Sequence, residues 1–283
     1  MRSTVVVMGL GAALAGCPTD EPFGPANRDS GVAPGEGIEL HGQVVDFESC
    51  PVGDGCDALA GMVVEVLGSS LQSEPSAQDG AFLIEGAPAG TALTLAVRGT
   101  AADGGAHART ILAGSVGPSD RDVYGITMYA MGRRTEYALL EAIMDQEGID
   151  LEGSGGYVGQ VVARIDPEVD CRADPDDPTC EICPDLEAGL CAVRDATARI
   201  SLPGYGTIEY ARGLPSFLAD QPNQEVIDDD APVTNVSGMF VVLPSTPSIG
   251  DLSIEIAREG MTFLALDASV EPGGVTFGFH RAE

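Results

Sequence analysis

The stretch Asp79-Gly80-Ala81-Phe82-Leu83-Ile84 decides the fold that this chain is expected to adopt, because apolar side chains alternate along it behind a turn glycine. Alternation of this kind is typical of a half-buried β-strand with one face toward a core. The pattern returns downstream as Ser237-Gly238-Met239-Phe240-Val241-Val242. The two copies predict one strand-based unit that is used twice.

Further pairs of segments recur in the same order around this strand. Gly42–Val45 returns as Gly159–Val162, Met62–Val66 as Ala196–Ile200, Ala92–Gly99 as Asp251–Arg258, and Val123–Tyr129 as Val275–His280. With 37 glycines, 19 prolines and only 5% aromatic residues, the composition favours many short strands and turns. We therefore expect an all-β fold of two tandem antiparallel immunoglobulin/prealbumin-like β-sandwiches.

A short α-helix is predicted to join the two copies. Thr135 can cap its start, Gly148 can end it, and Tyr137, Leu140 and Met144 would form one apolar stripe. The predicted organisation is a signal peptide at 1–16, an acylated cysteine with a disordered tether at 17–36, a first sandwich at 37–131, a helical connector at 132–154, and a second, diverged sandwich at 155–283.

Three motifs of the first copy follow one another closely. They are Ala60-Gly61-Met62-Val63-Val64-Glu65-Val66, Asp79-Gly80-Ala81-Phe82 and Pro88-Ala89-Gly90. On these motifs the first copy resembles a carboxypeptidase regulatory-like domain, a prealbumin (transthyretin)-like sandwich. The resemblance implies a binding or scaffolding module without a peptidase site. It is weaker over the second copy, where the third motif becomes Pro247-Ser248-Ile249-Gly250.

The amino terminus combines one charge, Arg2, an apolar run from Val5 to Ala15, and the sequence Leu14-Ala15-Gly16-Cys17. The run is too short to span a bilayer core of about 30 Å. This arrangement resembles a bacterial lipoprotein signal peptide, which implies cleavage before Cys17 and its acylation, palmitate included. Several acyl chains, at roughly 0.8 kcal/mol per buried methylene, would anchor the protein to a lipid bilayer. Because Pro18 replaces the inner-membrane retention aspartate, we expect the outer membrane or cell surface.

The charge balance excludes one class of partner. The chain has 44 acidic residues against 14 basic ones, a formal net charge of -30. Nucleic acid is a polyanion that binds to clusters of cationic side chains, so no nucleic-acid partner is expected for so acidic a chain. An acidic surface that keeps an exported protein soluble is the favoured interpretation.

Cysteine counting predicts three disulfides, because an exported chain with six cysteines besides Cys17 favours pairing. Cys50 and Cys56 would close a small loop. The remaining four cysteines are partners of one another: Cys171, Cys180, Cys183 and Cys191. Their spacing favours either 171–180 with 183–191 or 171–191 with 180–183, and both stay open. A zinc site at Cys180 and Cys183 is disfavoured, since no histidine lies nearby.

The acidic loop 166–187 of the second copy is the best candidate for specific binding. Carboxylates are hard oxygen ligands of the kind that calcium prefers. The speculative calcium ligands are Asp170, Asp174, Asp176 and Asp177. Their spacing matches no EF-hand, so a solvated loop without a cofactor is favoured. Tyr205 and Tyr210 are the pair of tyrosines worth testing for carbohydrate stacking.

No catalytic pattern is found. His41, His107 and His280 share no metal-ligand spacing, and the chain has no nucleophile elbow, phosphate loop or zinc-peptidase helix. We therefore expect no enzyme. The predicted function is a membrane-anchored envelope lipoprotein that binds, adheres or scaffolds through sandwich-end loops, with an envelope protein or glycan as partner. The alternative is a calcium- or carbohydrate-binding surface protein that uses the acidic loop.

Overall fold

The computed structural model describes residues 37–49, 56–102, 104–113, 116–133, 151–164, 190–201, 206–211, 227–228, 232–234, 237–244 and 250–283. Within them the strands are β1 (Ile38–Asp46), β2 (Val63–Val66), β3 (Ala81–Ala87), β4 (Leu95–Arg98), β5 (Arg109–Leu112), β6 (Val123–Ala130), β7 (Gly156–Arg164), β8 (Leu190–Ala192), β9 (Thr197–Ile200), β10 (Gly206–Ala211), β11 (Ile227–Asp228), β12 (Met239–Pro244), β13 (Gly250–Ala257), β14 (Leu266–Val270) and β15 (Gly274–Arg281). A single helical turn, α1 (Leu151–Ser154), precedes β7. The predicted helix from Thr135 to Gly148 lies outside the described residues.

The N-terminal half, β1 to β6, forms two facing layers. One layer has the strand order β3-β1-β6, and the other has the order β2-β4-β5. Their inner side chains share one apolar core, which contains Leu40, Met62, Phe82, Leu95 and Met128. Burial alternates along β3, as expected when one face of a layer meets a core and the other meets solvent.

The C-terminal half, β7 to β15, repeats this strand order. The layer β12-β7-β15 faces the layer β14-β13-β9 around a core that contains Tyr157, Phe240, Ile254 and Val270. Among the described residues, a β10–β11 hairpin beyond β12 is added to the repeat, whereas the short strand β8 on β7 has its counterpart in the bridge between Val45 and Ala58. The all-β sandwich predicted from the sequence is confirmed.

A glycine beneath a phenylalanine ring explains why the same motifs occur in both halves. Gly42 on β1 lies opposite Phe82 on β3, and Gly159 on β7 lies opposite Phe240 on β12. In each pair, a Cβ atom on the glycine would overlap the facing phenylalanine ring. Only glycine leaves room for the ring, so the two residue types recur together.

A buried hydroxyl residue holds the residue just before β2 in one half and just before β9 in the other, and the sequence comparison missed it. The Ser76 N–H donates to Met62 O at 2.7 Å, and the Met62 N–H donates to Ser76 Oγ at 3.0 Å. Thr234 and Ala196 exchange the same two bonds, at 2.9 Å and 3.0 Å. Each hydroxyl residue stands three positions before the turn residue of the repeated strand, a spacing that is visible in the sequence.

The two halves meet edge to edge. Strand β5 of the N-terminal half pairs in parallel with β15 of the C-terminal half, from Arg109 opposite Gly274 to Leu112 opposite Phe277. This pairing joins β2-β4-β5 and β12-β7-β15, with the β10–β11 hairpin and β8, into one nine-stranded sheet. The halves are therefore linked directly through backbone hydrogen bonds.

A third apolar cluster, the junction core, covers the outer surface of β12-β7-β15. Phe47, Ala108 and Met131 of the N-terminal half pack there against residues that include Val241 and Phe277. The Phe47 and Phe277 rings meet edge to face, with centroids 4.6 Å apart. Residues of β7 and β15 are consequently buried on both faces, except near their ends.

The expectation of purely antiparallel sheets is wrong. The pairs β1–β6, β7–β15 and β5–β15 are parallel, and the other strand pairs are antiparallel. The first and last strands of each half become neighbours through a crossover, which a local alternation pattern does not specify. Among the described residues, no helix has the length and apolarity that a membrane span needs.

Candidate functional site

Most of the residues singled out from the sequence lie outside the described residues. They are Cys17, Cys50, Cys171, Cys180, Cys183, Asp170, Asp174, Asp176, Asp177 and Tyr205. Cys56 and Cys191 are described, and each takes part in a disulfide bond. The pairing stays a prediction. Within the described part of the chain, no group of three or more histidine, cysteine, aspartate or glutamate side chains is placed to hold a metal.

The three histidines lie in different surroundings. His41 stacks on Tyr124, with ring centroids 4.3 Å apart and an interplanar angle of 12°, and its Nε2 lies 2.9 Å from Glu39 Oε2. The Nδ1 of His107 lies 3.0 Å from Gly105 O near the surface. His280 is 1% exposed inside the C-terminal core. They do not form one site.

His280 forms a buried polar pair with Tyr157. The Tyr157 hydroxyl and His280 Nε2 share a hydrogen bond of 2.8 Å, while His280 Nδ1 is buried with no hydrogen-bond partner among the described residues. Burial lowers the pKa of His280 to about 3 and raises the pKa of Tyr157. Both groups are therefore neutral at physiological pH and closed to solvent, which suits a core better than proton transfer to a ligand.

The interpretation of Tyr210 as half of an exposed carbohydrate platform is wrong. Tyr210 is 6% exposed, and its hydroxyl accepts a hydrogen bond of 3.0 Å from the Ala198 N–H. Its ring belongs to the C-terminal core. A stacking platform needs a ring face in solvent, and this one has none.

An open groove of about 470 Å³ lies at one end of the C-terminal half. We call it the end groove; its lining includes Asp195, Ile256, Arg258, Glu259, Met261 and Phe263. Asp195 adopts a positive φ of 58° in the turn that leads into β9. Arg258 reaches across the loop to Met261, with Nη1 3.4 Å from Sδ. The groove thus combines apolar side chains with charges of both signs.

A partly buried ion-pair network ties the two halves beside the β5–β15 pairing. Arg109 donates to Glu65 at 2.9 Å and to Glu271 of the other half at 3.1 Å, and Arg98 donates to Glu65 at 3.0 Å. Burial pushes the pKa of Glu65 upward, but the hydrogen bonds and charges of Arg109 and Arg98 outweigh it and lower that pKa. The network links the halves across the junction.

Comparison with known proteins returns weak likenesses. No family model and no curated protein matches the sequence. Two solved type II cohesin–X-dockerin complexes from Acetivibrio cellulolyticus show 16% and 12% identity with TM-scores of 0.24 and 0.26. The matches cover 33% and 54% of this chain, and 57% and 91% of those chains. The shaft pilin SpaA from Lactobacillus rhamnosus GG shows 12% identity and a TM-score of 0.20, over 87% of this chain and 98% of that one. At these TM-scores the likenesses carry no argument about function.

Proposed function

We propose that this chain is a non-enzymatic binding or scaffolding module of the cell envelope. The observation that carries the proposal is the junction between the halves, where a shared sheet and the junction core act together. Two units that share backbone pairing and an apolar core do not move freely against each other. A rigid body of this kind holds its end loops at fixed positions, which suits presentation or support of a partner.

The end groove is the contact surface that we assign to this function. Its loop is braced from behind, because Phe263 bridges to Ala282 and the Glu283 N–H donates to Thr262 O at 3.0 Å. The groove mixes Ile256 and Phe263 with Arg258. Apolar contact supplies affinity at such a surface, and charges at its edge supply specificity.

The anchor completes the proposal. A diacylated Cys17 followed by a tether to residue 36 would hold the folded part at the outer membrane or cell surface, in line with the signal-peptide pattern. We also propose the division into domains at 37–131 and 155–283, with disulfides that include Cys50–Cys56. These elements rest on the sequence.

Crosslinking capture from the native envelope tests the function, with the full chain as bait. The matched variants are Thr262→Glu, in the end groove, and Ser70→Glu, on an exposed turn elsewhere. We expect an envelope protein to be enriched by the wild type and by Ser70→Glu, and to be lost with Thr262→Glu. Equal capture by both variants would remove the groove from the proposal.

The calcium- or carbohydrate-binding alternative rests on the acidic loop, which lies outside the described residues. Calcium titration of the full chain separates it from a protein partner. A rise in melting temperature with calcium, lost on Asp174→Asn with Asp176→Asn, would favour the alternative.

A further inference from the structure

Two large apolar side chains stand out on the described surface. Leu83 on β3 is 40% exposed, and Leu264, just before β14, is 68% exposed. They lie in different halves of the chain. Because the halves repeat one strand order, each leucine can be compared with its counterpart in the other half.

The counterpart of Leu83 is buried in the junction core. Leu83 lies opposite His41 on β1, and Val241 lies opposite Val158 at the corresponding place on β7. Val241 is fully buried, because the N-terminal half covers it. The outer surface of β3-β1-β6 therefore corresponds to the outer surface of β12-β7-β15. The N-terminal half covers the latter surface, whereas Leu83 on the former is exposed. We call the outer surface of β3-β1-β6 the open face, defined by His41, Leu83 and Tyr124.

The counterpart of Leu264 is also buried at the junction. Thr110 lies opposite Val97 on β4. The β13–β14 pairing ends at Leu266 opposite Ile254, two residues short of Leu264 and of Ile256, the counterpart of Val97, so Leu264 takes the place of Thr110 by sequence position. Thr110 pairs with Val275 of the other half and is 2% exposed. The N-terminal half packs on the C-terminal half through the end that contains Thr110. The corresponding end of the C-terminal half, which contains Leu264, remains exposed. We call it the free end, defined by Arg164 and Leu264.

We propose that a second copy of this chain places its free end on the open face, so that the junction within one molecule is repeated between molecules. The inference deepens the proposed scaffolding function and rests on it. Each copy carries one open face and one free end, and the contact is therefore head-to-tail. Such a contact propagates along a row of molecules unless the row closes on itself.

The chemistry of the two surfaces is complementary. Within the molecule, Phe47 packs on Phe277. Between molecules, the residue in the place of Phe47, five positions after the repeated glycine, is Arg164. The register of β1 and β6 shifts between Leu40 and Gly42, and within that shift Tyr124 stacks on His41 at the level where Phe277 lies opposite Val158 in the other half. An arginine over an aromatic ring is a favourable cation–π pair. Glu85, exposed on β3, adds negative charge to the same strand as Leu83.

The net charge of -30 opposes this association at low salt. Two copies repel each other over distances that added salt screens, whereas the apolar contribution from burying each leucine against the facing copy persists. Self-association should consequently strengthen as salt is raised. This direction is opposite to that of an assembly held mainly by ion pairs.

Sedimentation velocity of the purified full chain over a range of concentration and salt tests the proposal, separately from capture of other envelope proteins. The variants are Leu83→Glu in the open face and Leu264→Glu in the free end, with Ser70→Glu as the matched control. Each substitution is at an exposed position, so circular dichroism and melting temperature should stay unchanged. We expect the wild type and the control to form oligomers, and each leucine variant to associate about tenfold or more weakly.

Mixing the two leucine variants identifies the geometry. One variant keeps an intact free end and the other keeps an intact open face, so an equimolar mixture should form pairs that do not grow further. A wild-type monomer at every concentration and salt would overturn the proposal. A wild-type oligomer that neither leucine variant weakens would overturn it as well, as would a mixture that stays monomeric. In each of these cases the capture experiment still decides whether the chain binds another protein.

Discussion

The Tyr157 hydroxyl and His280 Nε2 share a 2.8 Å hydrogen bond inside the C-terminal core, at positions that Leu40 and Met128 occupy in the N-terminal core. Met128 lies opposite Val44, and His280 lies opposite its repeat, Val161. The same two core positions therefore hold a polar pair in the C-terminal half and two apolar residues in the N-terminal half. The apolar residues supply a natural control for the polar pair.

Stability should fall in acid through His280. Its pKa is about 3 in the folded state and 6.5 for the free side chain, so between these values the unfolded chain binds a proton that the folded chain does not. His280 therefore does not change the free energy of unfolding above about pH 6.5. Between about pH 6.5 and pH 3, protonation of the unfolded chain lowers that free energy by up to about 1.4 kcal/mol per pH unit. Urea unfolding of the full chain at several pH values between 7 and 3 measures the loss.

The many carboxylates also titrate in acid, and a matched variant separates their effect. Tyr157→Leu with His280→Met copies the N-terminal pair into the C-terminal core. Its unfolding free energy should depend less steeply on pH between 6.5 and 3 than that of the wild type. Identical slopes would show that His280 does not titrate as described.

Removing only the tyrosine hydroxyl should cost more than its size suggests. Tyr157→Phe leaves His280 Nε2 buried without its partner, and a buried unsatisfied polar group costs about 1–3 kcal/mol. The double change Tyr157→Leu with His280→Met should be less destabilising than the sum of its two single changes. Denaturant unfolding measures the cost of Tyr157→Phe. The same measurement on the wild type, Tyr157→Leu, His280→Met and the double variant gives the coupling energy, and a coupling near zero would contradict the hydrogen bond.

The glycines beneath the phenylalanine rings should tolerate no side chain. Gly42→Ala and Gly159→Ala each place a Cβ against the ring of Phe82 or Phe240, and overpacking of this kind costs about 1–3 kcal/mol. Gly117→Ala is the control, because a Cβ there meets nothing within 4 Å. Melting temperatures check the order, and a control as unstable as the other two would contradict the packing argument.

The ion-pair network should matter at Arg109 more than at Arg98. Arg109 reaches Glu65 and Glu271 of the two halves with 27% of its side chain exposed, whereas the side chain of Arg98 is 50% exposed and reaches one half. We expect Arg109→Met to lower the free energy of unfolding by about 1 kcal/mol, and Arg98→Met to change it by less than about 0.5 kcal/mol. Urea unfolding compares the two, and equal effects would show that the contact across the junction adds nothing.

The lipid anchor is tested in a diderm host. Cys17→Ser should abolish incorporation of labelled palmitate and release the protein from membrane fractions, because no sulfur remains to carry the acyl chains. Pro18→Asp, which restores the retention residue, should keep the acylation and move the protein to the inner membrane. Unchanged palmitate labelling of Cys17→Ser would refute the assignment of the anchor.

The repeat could be predicted from the sequence down to strand register. Aligning Ala92–Gly99 with Asp251–Arg258 makes Ala257 the counterpart of Arg98, and aligning Met62–Val66 with Ala196–Ile200 makes Thr197 the counterpart of Val63. In the structure Arg98 pairs with Val63, and Ala257 pairs with Thr197. The reason is local. Alternation, turn glycines and a ring over a glycine act between neighbouring strands and leave a recurrent mark in the sequence.

The junction between the halves is indicated more weakly in the sequence, by the pattern of one strand. Strand β12 is apolar on both faces, with Val241 and Leu243 turned outward, whereas its counterpart β3 has Leu83 and Glu85. A strand without alternation is typical of a layer that is covered on both sides. That signal indicates that something covers β12, but it does not say what.

The sequence by itself determined the all-β class, the internal repeat and the glycine–phenylalanine contacts, because each depends on residues that are neighbours along a strand or across one strand pair. Only the tertiary structure decided that β5 and β15 pair in parallel, that Phe47 and Met131 cover the C-terminal half, and that Leu83 and Leu264 remain uncovered. These outcomes depend on where two complete halves meet. Contacts between surfaces far apart in sequence are selected by the fit of finished surfaces, and no local periodicity encodes that fit.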